Sequence, residues 1–139
     1  MRKIIFKLVT IIALSTIVQA GGQVVVNVGS GVKTLSKEDI KSIFNLQKLK
    51  WSNGTKISVY LLPSGHEVEG EFCQKILDSS SDTVMEKWMA YVLNGGANKP
   101  PKTMKAKRIL KKLKKQKGAI GILPLGVKLP DNTISVFKL

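Results

Sequence analysis

The sequence predicts an α/β domain, a mixed and mostly parallel sheet flanked by helices, and three observations predict it. Gln23–Val28 is a near-continuous valine run, the pattern of a strand buried on both faces. Strand and helix periodicities then alternate early in the chain, which indicates parallel pairing through crossover helices. Residues 56–77 pass from an apolar, β-branched run through a Gly-containing loop directly into a helical repeat.

Taken in order, Met1–Ala20 has the three parts of a secretory signal. A basic start (Arg2, Lys3) precedes an apolar run from Leu8 to Val18, and Val18-Gln19-Ala20 places small residues at the positions a signal peptidase reads. The run is short for a membrane span of ~20 residues. No cysteine follows it, so no lipoprotein anchor is expected. Export with cleavage after Ala20 leaves residues 21–139 as one periplasmic domain.

After the Gln23–Val28 strand, Gly29-Ser30-Gly31 makes a turn, and Ser36 is placed to cap a helix whose first turn holds Glu38 and Asp39. Ile40, Ile43 and Phe44 form its apolar stripe. A basic connection leads to Trp51, read as a plug at the core edge, and to an Asn53-Gly54 turn. Ile57, Val59, Leu61 and Leu62 define the next strand. Val68, Phe72, Ile76 and Leu77 define the following helix, with Cys73 on its buried face. Val84, Met85, Trp88, Met89, Val92 and Leu93 predict a third helix with all six on a core stripe, closed by Asn94-Gly95-Gly96. Residues 102–117 predict a fourth helix with an apolar face of Met104, Ala106, Ile109, Leu110 and Leu113. Gly118–Leu123 and Thr133–Lys138 are read as the last two strands, and the glycines of the first permit close backbone approach.

The whole chain carries 23 Lys and Arg against 9 Asp and Glu. Removing a signal that holds Arg2, Lys3 and Lys7 lowers the formal charge from +14 to +11. Residues 102–117 hold nine of the cations and no acid. Lys105, Lys107, Arg108, Lys111, Lys112, Lys114 and Lys115 thus form a basic surface suited to an anionic membrane or an acidic envelope partner. Aromatic residues for base stacking are missing from it, so nucleic acid is not the expected partner. The single cysteine excludes an internal disulfide. No His, Cys, Asp or Glu cluster has metal-ligand spacing, and no dinucleotide or Walker glycine pattern occurs, so no cofactor is expected. The one histidine, His66, sits too awkwardly beside Ser64 to activate it, which argues against an enzyme.

The loop from strand to helix, Pro63-Ser64-Gly65-His66, is the place where backbone N–H groups can meet an anion. Four segments also share an order with a known family: Leu35-Ser36-x3-Ile40-x2-Ile43-Phe44, Trp51-x-Asn53-Gly54, the strand–Ser64-Gly65–helix unit, and Gly118-Ala119-Ile120-Gly121. The set resembles the phosphate-binding proteins of phosphate ABC transporters, in their short, single-lobe form. The resemblance implies a type II periplasmic-binding-protein fold, Ser64, Gly65 and His66 as ligand contacts, a small oxyanion such as phosphate as ligand, and an ABC permease as partner. It departs from that family where Leu61 and Leu62 replace an arginine, and where His66 and Glu67 replace a hydroxyl residue at the helix start. With one lobe and no facing wall, weak binding or completion of the site by a second chain is expected.

Overall fold

Val24, Val25 and Val26 are fully buried because they form an interior strand of the sheet, covered by helices on both faces. The structure, a computed structural model, describes residues 21–97 and 99–139; the predicted signal, residues 1–20, lies outside them. In chain order the elements are β1 (Gly22–Asn27), α1 (Lys37–Phe44), β2 (Ser58–Leu61), α2 (Glu67–Lys75), α3 (Ser81–Leu93), β3 (Lys102–Thr103), α4 (Ala106–Lys115), β4 (Ala119–Pro124) and β5 (Thr133–Lys138). A single 3-10 turn, Val28–Ser30, follows β1. The strands lie in the order β3-β2-β4-β1-β5.

The sheet is mixed, as the sequence predicts, without the expected parallel majority. β2 runs parallel to β3 and β4, whereas β1 runs antiparallel to β4 and β5. A valine run buried on both faces specifies a central strand, but it carries no information about direction. β4 separates β1 from β2, and the two run in opposite senses, so α1 is not the crossover of a simple parallel pair.

Close approaches place the helices. A Cβ on Gly22 would lie 2.5 Å from Val68 Cγ1 of α2, and a Cβ on Gly121 would lie 2.7 Å from Ile109 Cγ2 of α4. Gly121 pairs with Val25, and side chains alternate along β1, so these two glycines face opposite sides. α2 therefore packs on one face and α4 on the other. Phe44 meets Phe72 edge to face, with ring centroids 4.7 Å apart, and Trp88 Nε1 donates to Phe44 O at 2.6 Å. These contacts bind α1 and α3 into the layer of α2.

Local signals in the sequence account for several boundaries. Ser36 caps α1 in a reciprocal box with Asp39. Asn94 ends α3, and Gly95 follows with φ +79. Trp51 is 2 % exposed and donates to Gly118 O, so it plugs the core edge.

Two expectations are corrected. The fourth helix starts at Ala106 rather than Lys102, because Lys102 and Thr103 pair with β2 as a short strand. In α3 only Val84 and Trp88 are fully buried, while Met85, Met89 and Leu93 are exposed. One narrow stripe suffices for an outer-layer helix: Val92 is half-buried against the core, whereas Met85, Met89 and Leu93 turn outward.

Candidate functional site

β2 ends at Leu61 and β3 at Thr103, and these two residues are parallel partners. Just beyond them, Met104 N donates to Leu61 O at 3.0 Å, so both chains leave the sheet side by side. They then diverge: residues 62–66 lead to α2 on one face, and Met104-Lys105 lead to α4 on the other. Neighbouring carboxyl ends that send their helices to opposite faces open a crevice, where α/β sheets bind their ligands. The positive ends of two helix dipoles border it.

On the α2 side, Leu62 is buried and anchors the loop, while Pro63 to Glu67 are exposed. Gly65 has φ +91 and open space around it, which the tight turn requires. Not every amide here is bare: His66 N donates to Pro63 O, and Val68 N donates to His66 Nδ1 at 3.1 Å. Because Nδ1 accepts, the neutral ring carries its proton on Nε2, and His66 offers the solvent a donor.

Ser64 offers the opposite. Glu69, 2 % exposed, accepts through Oε1 from Ser81 Oγ at 2.5 Å and from Cys73 Sγ at 3.3 Å. Having spent its proton on Glu69, Ser81 can only accept from Ser64, whose Oγ lies 3.1 Å away. The Ser64 hydroxyl therefore turns its lone pairs outward. Glu69 Oε2 is buried and has no partner among the described residues. Burial, followed by the charge and hydrogen bond of Glu69, pushes the Cys73 thiol up to about 12. That thiol is inert packing.

On the α4 side, the N-cap residue is Lys105, which makes no side-chain cap hydrogen bond, and the first turn holds no acid. Its opening amides lack a side-chain acceptor, and Lys105, Lys107 and Arg108 are all exposed around them. Cations at a helix N-terminus oppose the dipole, so this end of α4 is the more electropositive rim of the crevice. The only acid exposed in the first turn of α2 is Glu67.

The fold thus brings Ser64, Gly65 and His66 to the same edge as Lys105, Lys107 and Arg108. Lys111, Lys112, Lys114 and Lys115 lie farther along α4, toward its other end. Among the described residues the ion pairs are Lys41–Asp78 and Lys75–Glu71, and neither involves α4. Sequence reasoning missed the α4 rim because it began the helix four residues too early. The signal was Pro100-Pro101 followed by β-branched Thr103, a break before the helical repeat. Nothing in Glu67-Val68-Glu69-Gly70-Glu71 distinguished the buried carboxylate from its exposed neighbours.

One mixed five-stranded sheet flanked by helices on both faces makes this an α/β, periplasmic-binding-protein-like fold. In three dimensions the chain is similar to an ABC-type phosphate transport receptor from Vibrio cholerae, with a TM-score of 0.61 and 14% sequence identity. The match covers 84% of this chain and 45% of the receptor, so the chain spans less than half of that receptor's length. At this identity the likeness is one of fold. No protein-family model matches the chain, and no curated protein matches it.

Proposed function

We propose that the chain is a non-enzymatic binding protein for a small oxyanion, phosphate being the first candidate, in the manner of the substrate-binding component of an ABC transporter. The observation that carries this reading is the divergence of β2 and β3 at their carboxyl ends, with His66 and the Gly65 amide on one side and the uncapped, basic start of α4 on the other. A permease or other envelope protein would receive the ligand, and residues 1–20 would direct export to the periplasm before being cleaved.

Titration of the labelled protein with phosphate and with sulfate at low salt tests the reading by NMR. Amides of residues 64–67 and 106–108 should shift together and saturate. Replacing both Lys105 and Arg108 with Ala should weaken binding about tenfold, as expected for two partly solvated charges. Absence of saturable shifts at both rims up to millimolar ligand removes oxyanion binding from consideration.

A second reading is favoured by the unpaired cations beyond the crevice. Lys111, Lys112, Lys114 and Lys115 would dock α4 on an anionic membrane surface or an acidic envelope partner. Changing all four to Glu should abolish co-sedimentation with anionic vesicles; unchanged sedimentation would leave this stretch as a solvated face.

A further inference from the structure

At the amino ends of β2 and β3, a cavity of ≈ 270 Å³ opens between the end of α1, residues 56–60, Ala97 and residues 99–102. Its floor is apolar: Ile43, Leu46 and Ile57 are buried there, with Val59 half-buried beside them. Its rim carries Lys48, Lys56, Lys99 and Lys102, and among the described residues no acid lines it. None of these four amines takes part in an ion pair among the described residues. The aromatic contact here is Lys48 Nζ, 6.0 Å from the Trp51 ring centroid.

From this juxtaposition we infer a second binding site, specific for a small organic carboxylate with an apolar body. Four like charges around one opening repel one another and create a local positive field, which an anion relieves. An inorganic anion would leave the apolar floor wet, and a neutral hydrocarbon would leave the amines uncompensated; an amphiphilic monoanion satisfies both. The Tyr60 hydroxyl donates to Gln116 Oε1, so the Gln116 amide nitrogen remains as a neutral donor in the wall. The volume sets the size. It exceeds the ~150 Å³ cavity that holds benzene and falls just short of the ~300 Å³ at which drug-sized pockets begin. A ring with a short carboxylate chain matches.

The probe is 3-phenylpropanoate, with 3-phenylpropan-1-ol as the uncharged control and inorganic phosphate as the control without an apolar body. Titrated into the labelled protein, the acid should produce saturable shifts at residues 56–60 and at Lys102 that persist in excess phosphate. The alcohol should bind about tenfold more weakly, the value of one well-placed charge contact. Lys56→Ala combined with Lys102→Ala should cost the acid a similar factor while leaving Tm unchanged, since both side chains are exposed. The inference is overturned if the acid gives no saturable shift at these residues or if the alcohol binds equally well. It also falls if the double variant binds like the parent, or if the shifts map instead to residues 64–67 and 106–108.

Discussion

Ser64 and His66 are two residues apart on one exposed loop, yet they present opposite hydrogen-bonding character. Glu69 sets the difference from below, since a carboxylate oxygen that only accepts forces the direction of every proton in the Glu69–Ser81–Ser64 chain. Ser81→Ala should therefore release the Ser64 proton to face the crevice and raise oxyanion affinity about three- to tenfold, the worth of one neutral hydrogen bond; calorimetry with phosphate would measure it, and an unchanged or lowered affinity would contradict the assigned direction. Cys73 supplies a pH prediction. Its thiol is raised from 9.0 to about 12, so the folded state holds its proton more tightly than the unfolded chain does. The resulting stabilisation is complete below about 9 and is lost as pH rises toward about 12. A thiol reagent at pH 8 should leave the native protein unlabelled and modify one cysteine per chain in denaturant. The burial of Trp51 and Cys73 was legible in the sequence, because large or soft apolar side chains at periodic positions have few other places to go. The buried Glu69 was not legible, since its partner Ser81 lies on the next helix.

At the level of elements, the strands and helices that carry local punctuation were legible, while the β3–α4 boundary was misplaced. Ser36 and Asp39 mark the start of α1, and Asn94-Gly95 marks the end of α3, by chemistry confined to a few neighbouring residues. β3 is only two residues long and exists because β2 offers it a free edge, a long-range fact that no local pattern encodes. Gly118, just before β4, shows the reverse case, in which a local residue reports a distant contact. Gly118 is pressed against the residues that lead into β2: a Cβ there would clash with Lys56 O, and its own carbonyl accepts from Trp51 Nε1 and Ser58 N. Gly118→Ala should destabilise the protein by more than about 3 kcal/mol, because backbone rather than a flexible side-chain end must move. Trp88→Phe keeps an aromatic ring in place but leaves Phe44 O without its donor, and the lost hydrogen bond should cost about 1–2 kcal/mol. Urea unfolding of both variants would rank them in that order.

Across the whole molecule, positive charge and the proposed binding edge are related by topology. The crossovers from β2 and β3 bring the basic start of α4 to the loop before α2, so residues some forty positions apart border one crevice. The sequence made the class of fold and the α2 rim legible. It did not reveal β3, and so it could not show that the start of α4 lies on the other side of this edge. Oxyanion affinity at this edge should fall steeply when salt is raised to about 0.5 M, where screening acts within a few ångströms, whereas a site built on neutral donors alone would hardly respond. The same topology leaves α4, among the described residues, as the sole helix over its face of the sheet, held down by Ile109 and Leu113. Each of its lysines is a tryptic cleavage point, yet a protease can thread the segment only after it peels away. The digestion half-life of this roof is therefore a direct gauge of how often the sheet beneath it is laid bare.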